Sequence, residues 1–599
     1  MKNKETKPYI TICRGTGCTA SGADKVEIAF KEFIKKKDLK EKLGIRSTGC
    51  HGFCERGPLV IIHPGKIFYN GVKPDNVPEI IEKTVLKNEV IEHLLYKDPA
   101  TGKKVVHEDE VPFYKKQMRL ILGNNGRIDP TNIHDYTALG GYNSLKKVLS
   151  GKLPEGIIGE IKRSGLRGRG GGGFPTGRKW ESCRKAKGSL KYIICNADEG
   201  DPGAFQDRSI LEGNPHSVIE GMAIGAFAIG AKEGYVYVRN EYPLAVEHLE
   251  IALEQAEKYG FLGKNILKSG FSFMINIVKG GGAFVCGESS ALMASIEGRL
   301  GEPRFKHVHA TDKGLWDRPT TLNNVKTWAT VPLIIDKGAD WYSKIGTEGS
   351  KGTMVFSLVG KIKNTGLAEV PMGITLRELI FDIGGGILGD KRFKAVQTGG
   401  PSGGCIPEKY LDLPVDYEKL KEVGSMMGSG GMIVMDEDTC MVDVAKYFLE
   451  FTVNESCGKC TPCREGVKHM LDIVKKITRG FGEEGDIDLL EKMGNIIKET
   501  SLCALGGSAP NPVLTAIRYF RNEYESHIRD KKCEAGVCRE LIRYSIVKGK
   551  CTGCTLCARE CPEKAISGEK KKPHKIDEKL CVKCGICRDV CKFGAVKVT

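Results

Sequence analysis

No apolar run in this 599-residue chain approaches the ~20 residues needed to cross a bilayer, and the most apolar stretch, 221–231, falls far short. The lysine-rich start has no apolar segment of a signal peptide behind it, so the reading is a cytoplasmic chain. Disordered and collagenous signatures are also missing: 40% apolar and 28% charged residues are the proportions of a soluble globular protein. Helix-turn-helix, RNA-binding and finger patterns are lacking, so the net charge of +16 finds no nucleic-acid module to serve. No constellation requires a side chain as acid, base or nucleophile, which excludes a triad-type hydrolase. The length is too great for one core and implies about four domains.

What the chain has is cysteine. Twenty-three thiols without a secretory leader point to metal ligation rather than disulfides, and they are clustered as scattered core thiols would not be. Bound thiolates also temper the charge, since each four-cysteine cluster carries roughly −2 and four would remove about half of the excess.

The first ninety or so residues alternate strand-like and helix-like segments. Cys13 and Cys18 form a Cx4C pair after the first strand, and Cys50 and Cys54 a Cx3C pair in a Gly-rich turn, so two loops of one small unit can converge on one metal centre. Four ligand-type loops follow. GLRGRGGGGFPTG (165–177) lets backbone approach a ligand closely, NADEGDPGAFQDR (196–208) offers amide and carboxylate groups, GGGAFVCGESSAL (280–292) puts a glycine run before a helix, and LNNVKT spans 322–327. Together they imply a large nucleotide-like ligand on an α/β unit.

Residues 352–413 are β-rich and carry no chemistry of their own by pattern. Amphipathic stretches between 441 and 528 have the period of a four-helix bundle. Within it Cys457, Cys460 and Cys463 make a CxxCxxC run, with Cys503 in SLCALG as a fourth thiol, the ligand set of a [4Fe-4S] cube. The tail repeats CxxCxxCxxxC twice. Cys551, Cys554, Cys557 and Cys561 form one run and Cys581, Cys584, Cys587 and Cys591 the other, which implies two further [4Fe-4S] clusters with Cys591 and Cys561 exchanged between them. His527, Cys533 and Cys538 supply three ligands of a candidate zinc site lacking a fourth. Cys183, Cys195, Cys286, Cys405 and Cys440 are isolated in sequence and read as packed thiols.

The ordered strings GRGGGGFPTGRKW, NADEGDPG, FVCGESSAL and PTTLNNVKT resemble the flavin subunit of respiratory complex I and its soluble relatives. The resemblance implies a Rossmann-like FMN pocket with the dinucleotide stacked over the flavin. At matching positions Gly168, Arg169, Gly170, Lys179, Asn196, Asp198, Gly287, Glu288, Asn323 and Asn324 would hold FMN, while Phe174, Lys179, Asp201, Phe284 and Phe305 would meet NAD(H). Ser289 stands where the family has a second Glu, which weakens the case for NAD over NADP without reversing it.

The fused ends resemble the flavin-bearing beta subunit of soluble electron-bifurcating [FeFe] hydrogenases and of similar formate dehydrogenases. The resemblance implies a hetero-oligomer with a catalytic [FeFe] hydrogenase subunit, a small thioredoxin-like [2Fe-2S] subunit and ferredoxin, and an FMN, one [2Fe-2S] and three [4Fe-4S] clusters in this chain. An NAD(P)-dependent formate dehydrogenase, an NADP-reducing hydrogenase or a non-catalytic electron-transfer scaffold are the rivals. The expected fold is multidomain, α/β and α+β: a thioredoxin-like domain (1–96), a Rossmann-like FMN domain (97–345), a β-grasp-like domain (346–432), a four-helix bundle (433–532) and a bacterial-type ferredoxin domain (533–599).

Overall fold

Strand β1 (Tyr9–Cys13) buries its last four residues, because both faces of its sheet are covered. The computed structural model describes residues 8–305 and 307–598. Two compact units are present: the first takes in the chain up to Met435 with Leu502–Leu505, the second Asp436–Ser501 and everything from Gly506. Among the described residues no helix is long and apolar enough to cross a membrane.

In the first unit, β1 pairs in parallel with β2 (Gly44–Thr48) and antiparallel with β3 (Val60–His63), and β4 (Ile67–Tyr69) closes the order β2-β1-β3-β4. Ile10 and Ile12 face helix α1 (Ala23–Lys36) through Val26 and Phe30. Cys13, Phe53 and Ile61 lie on the other side, in one core with Met354 and Phe356 of the third sheet. The two faces of one alternating strand thus serve two cores.

The second sheet is wholly parallel. Strands β5 (Tyr192–Ala197), β6 (Glu233–Arg239), β7 (Met274–Gly280) and β8 (Thr320–Asn324) run in the order β8-β5-β6-β7. Helices α2 (Gln206–Gly213), α3 (Pro215–Ile229), α4 (Ser289–Ile296) and α5 (Val325–Lys337) accompany it. Helix α3 contains the most apolar stretch of the sequence and is buried at every position except Phe227. A Cβ on Gly221 would lie 2.0 Å from the Trp328 carbonyl oxygen of α5, so glycine is required for these helices to meet.

The third sheet joins β9 (Thr353–Gly360), β10 (Gly366–Pro371), β11 (Phe393–Thr398), β12 (Gly404–Pro407) and β13 (Gly431–Asp436) in the order β10-β9-β13-β11-β12. In the second unit, α6 (Met441–Glu455), α7 (Val467–Thr478), α8 (Asp486–Thr500) and α9 (Asn511–Glu525) bury one stripe each; on α7 it is Val467, Met470, Leu471, Val474 and Ile477, the i, i+3, i+4 spacing. The tail pairs β14 (Tyr544–Ile546) with β17 (Val596–Val598) and β15 (Ile566–Ser567) with β16 (Lys575–Ile576).

Candidate functional site

Strands β5 and β8 end in register, Asn196 opposite Asn324, so the loops leaving them open on one crevice beyond the carboxyl ends of the sheet. The cleft encloses about 960 Å³, its solvent mouth included. Gly170 to Gly172 form one wall, Asn196 and Asn324 the floor, and Gly287 with Glu288 the opposite side. A Cβ on Gly170 would stand 3.0 Å from that of Asn324, so the glycine loop lies directly against the floor. Asn196 donates to the Gly287 carbonyl (2.9 Å) and accepts from the Asp198 amide (3.0 Å), which fixes the side chain between two ligand loops.

The floor rests on a buried ion pair. Lys326 Nζ lies 2.7 Å from Asp207 Oδ1, and Asn324 bridges them by donating to Asp207 and accepting from the Lys326 amide at 3.0 Å. Glu199 accepts from the amides of Gln206, Asp207 and Arg208 at the start of α2, and burial pushes its carboxyl up to about 7. Burial raises Asp201 to about 6 against the opposing hydrogen bond from Ser429. Near neutral pH these carboxyls can therefore donate as well as accept hydrogen bonds, which suits the ring nitrogens and carbonyls of a flavin. Side-chain-free backbone, two amides and adjustable carboxyls form a donor set that fits a polar heteroaromatic nucleotide.

The structure sorts the expected residues. Gly170, Asn196, Asp198, Gly287, Glu288 and Asn324 line the cleft, with Asp201 and Phe284 from the dinucleotide set. Arg169, implied by the resemblance to hold FMN, does not line the cleft: it is buried, and its guanidinium donates to the carbonyls of Arg167, Lys351 and Thr353 and to the Tyr342 hydroxyl. Asn323 turns its amide to Trp180 Nε1 and the Leu322 carbonyl, both at 3.0 Å. Lys179 donates to the Leu322 carbonyl at 2.8 Å, where burial lowers its ammonium to about 8. Gly168 is held by its own loop, its amide donating to the Phe174 carbonyl at 2.9 Å. Phe174 and Phe305 are exposed.

Two contributions were not legible. Glu199, Asp207 and Lys326 lie in or beside quoted motifs but gain meaning only through the buried pair. The segment read as chemically silent supplies Gly399 and Ser402, and the following turn supplies Gly428 and Ser429, to the cleft. Their glycine-dense strings, GGPSGG and GSGG, repeat the signature of the recognised loops and could have given them away. Next to the cleft, Ser289, Arg304, Phe305, His309 and Lys313 line an adjoining pocket that shares Glu288. Glu288 caps α4 through the Ser290 and Ala291 amides (2.9 Å each), and Ser289 donates to it at 3.1 Å.

Two of the four-cysteine sets come together among the described residues. The Cys13 thiol is within hydrogen-bonding reach of Cys18 and Cys50, and Cys50 Sγ lies 3.5 Å from Cys54 Sγ. In the tail, Cys551, Cys554, Cys557 and Cys591 line one cavity, the crossed set. Cys183, Cys195, Cys286 and Cys405 are buried. Cys440 overturns its reading as an isolated thiol: it closes the set of His527, Cys533 and Cys538, all four donor atoms lying within 4.8 Å of one another. His527 Nδ1 donates to the Glu523 carbonyl (2.7 Å), leaving the Nε2 lone pair facing Cys538 (3.2 Å) and Cys440 (3.5 Å). Hydrogen bonds from Cys440 and Cys538 hold the Cys533 thiol far below its ordinary value. One imidazole and three thiols at this spacing fit a tetrahedral zinc ion with the histidine oriented from behind.

Residues 161–333 match the family described as Nuo51 FMN-binding domain, 443–527 the NADH-ubiquinone oxidoreductase-F iron-sulfur binding region, 550–595 a 4Fe-4S dicluster domain and 2–85 the thioredoxin-like [2Fe-2S] ferredoxins. The chain is 57% identical over 482 residues to the NADP-reducing hydrogenase subunit HndC of Solidesulfovibrio fructosivorans, covering 80% of this chain and 98% of that one. It is 46% identical over 414 residues to an NADH-quinone oxidoreductase subunit of Rhizobium meliloti, covering 69% and 98%. Among solved structures it is similar to a chain of an NAD+-reducing [NiFe]-hydrogenase in the H2-reduced state, with a TM-score of 0.61, 27% identity and coverage of 88% and 84%.

Proposed function

The chain belongs to the family of flavin subunits of NADH-quinone oxidoreductases and related hydrogenases, with [2Fe-2S] and [4Fe-4S] domains attached, and from this we propose that it exchanges hydride with a nicotinamide dinucleotide and passes single electrons along its clusters. The observation that carries the reading is the cleft in which a glycine wall faces two asparagines over the Asp207–Lys326 pair. An FMN held there accepts two electrons together and releases them singly. Gly170 and Gly287 would admit it closely, Asn196 and Asn324 would orient its polar edge, and Glu199 and Asp201 would hold protons near its ring. Phe284 would offer an apolar face to the dinucleotide. Cys13, Cys18, Cys50 and Cys54 would hold the [2Fe-2S] cluster, Cys457, Cys460 and Cys463 would supply three ligands of one [4Fe-4S] cluster, and the eight tail cysteines would hold two more.

The setting we propose is a cytoplasmic, electron-bifurcating hydrogenase in which a separate [FeFe] subunit handles hydrogen and a ferredoxin and a small [2Fe-2S] subunit exchange electrons. The hydrogenase names of similar chains and the two fused ferredoxin-like ends support it. A second reading, NADP as the dinucleotide, is favoured by Ser289, which leaves the pocket beside Arg304 and Lys313 with one acid fewer. Acid release of the cofactor followed by chromatography should yield FMN, and NADH-dependent dye reduction should outpace NADPH-dependent reduction; FAD in the extract would overturn the cleft assignment. Mass spectrometry of the native complex identifies the partners.

A further inference from the structure

The two halves of the tail are related by a shift of thirty residues, Cys551 onto Cys581 and Cys561 onto Cys591. The structure keeps the relation: the Ala565 amide donates to Cys561 Sγ and the Ala595 amide to Cys591 Sγ, both at 3.3 Å. Cys554 and Cys584, the second thiols of the two runs, are both exposed, so each set has an open edge. The residues around the two edges are equivalent in position and differ in chemistry.

Each edge is covered by the segment that leads into the opposite run. At the second run the cover is 539–541: Arg539 donates to the Val582 carbonyl and Lys583 Nζ to the Glu540 carbonyl at 2.9 Å, so both cations are engaged. That segment follows directly on Cys538 of the metal-binding set, and a Cβ on Gly480, just past α7, would stand 3.0 Å from Leu541 Cδ2. The second edge is therefore built against the helical bundle.

At the first run the cover is the loop GEKKKPHK (568–575), with four lysines and one glutamate. The Lys571 amide donates to the Gly553 carbonyl at 3.0 Å, and a Cβ on Gly553 would come within 2.4 Å of the Lys572 amide nitrogen. Lys570, Lys571, Lys572 and Lys575 are all exposed. Lys572 pairs with Glu569 at 2.7 Å, and among the described residues the other three make no ion pair. Where the shift gives Pro562 and Glu563 after Cys561, the chain has Lys592 and Phe593 after Cys591, both exposed. Phe593 also lines the cavity of Cys551, Cys554, Cys557 and Cys591.

A four-thiolate cluster carries roughly −2 when oxidised and repels a second anionic redox site. Unpaired lysines beside its open edge reverse that field for an approaching acidic protein, and an exposed aromatic ring supplies the apolar contact such an interface needs. The second edge has neither: its cations are bound to carbonyl groups, and Glu563 stands where the first has Phe593.

We propose that the edge of the Cys551, Cys554, Cys557 and Cys591 set, rimmed by Lys570, Lys571, Lys575 and Lys592 with Phe593, is the docking site of an acidic one-electron carrier protein. This rests on the proposed clusters. One electron crosses the edge, leaving the carrier oxidised and the tail reduced or the reverse, with no proton or group transferred.

The test mixes a reduced, acidic two-[4Fe-4S] ferredoxin with the oxidised, anaerobic full-length protein in a stopped-flow instrument over a range of salt, with iron measured on each sample. The second-order rate constant should fall as salt rises. The double variant Lys570→Glu/Lys571→Glu should lower it about tenfold at low salt and flatten its salt dependence, with iron unchanged. If that variant loses iron, Lys575→Glu decides by the same measure. Lys564→Glu/Lys579→Glu makes the same change of charge beside the ligands of the second set and should leave the rate at the parent value. An equal fall in both double variants would reduce the effect to net charge, and no fall in the first would leave the lysines without a role; either overturns the proposal. Binding of the parent, but not of Lys570→Glu/Lys571→Glu, to anionic phospholipid vesicles with the ferredoxin rate unchanged would make the loop a lipid-surface patch and overturn it too. Iron too low for two tail cubanes in the unmodified protein would instead sink the cluster reading, and the docking site with it.

Discussion

The Ser429 hydroxyl donates to the Asp201 carboxylate, tying the turn before β13 to the NADEGD loop of the parallel sheet. Gly400 packs beneath the same acid, where a Cβ would stand 2.8 Å from it. Because burial lifts Asp201 from 3.8 to about 6, the folded state holds its proton more tightly than the unfolded state. The sign follows: the side chain costs nothing below the unfolded value, and stability is lost as pH rises through about 6. Asp201→Asn should therefore be about 1–3 kcal/mol more stable than the parent near neutral pH and indistinguishable from it near pH ~4. Thermal unfolding at both pH values measures this, and a difference independent of pH would refute it.

The Asp207–Lys326 pair should be the least tolerant element of the cleft floor. Lys326→Met leaves a carboxylate buried without its cation, a loss of about 3–5 kcal/mol. Adding Asp207→Asn removes the stranded charge and should recover part of that. Denaturant unfolding of the three proteins checks it; equal stability of single and double variants would show that the charge is solvated in some other way.

The [2Fe-2S] site should depend on glycine at position 15, where a Cβ would come within 2.6 Å of Cys50 Cβ. Gly15→Ala forces the two cysteine loops apart. The expected result is loss of about two iron atoms per chain and of the corresponding resonance signal, with the cubanes kept. Retention of all iron would mean that the loops move without cost.

At the second metal centre Cys440 is the decisive ligand. Purified protein should contain about one zinc and, with every cluster filled, about fourteen iron atoms per chain. Cys440→Ser should remove the zinc and lower the unfolding temperature while leaving the iron, since structural zinc contributes folding energy directly. Zinc unchanged in Cys440→Ser would return this thiol to the packed core.

Much of this was readable from residue order, and the exceptions share a cause. Cysteine spacing and glycine strings are local, so the ligand pairs, the strand Tyr9–Cys13 and the helical stripe of Val467–Thr478 are visible in short windows. Cys440 lies 87 residues from His527, and only the fold brings them together. Ser429 reaches Asp201 across 228 residues, so a turn outside the four recognised loops became part of the site. Arg169 shows the opposite failure: its string looks like a phosphate loop, yet the tertiary structure turns the guanidinium inward onto carbonyl groups. A motif fixes where backbone can approach a ligand. It does not fix where a long side chain points.

The choice of dinucleotide gives the sharpest test of the cleft. Asp201 was expected to meet the dinucleotide and Ser289 to bear on the choice of NAD over NADP, and the structure separates them: Asp201 is held at Ser429 in the main cleft while Ser289 lines the adjoining pocket with Arg304 and Lys313. If the adenine ribose occupies that pocket, the two positions have separable effects. Ser289→Glu adds a carboxylate beside the 2′ position and should disfavour a 2′-phosphate by about 1–3 kcal/mol, roughly ten- to a hundredfold in the NADH-to-NADPH ratio of kcat/KM. The effect should fall on KM, because ribose contacts are made equally in the ground and transition states. Asp201→Asn should then change kcat or flavin occupancy more than the ratio. Dye reduction with each dinucleotide isolates the cleft from partner subunits. A ratio that moves with Asp201→Asn and stays fixed with Ser289→Glu would place the ribose in the main cleft and overturn the separation.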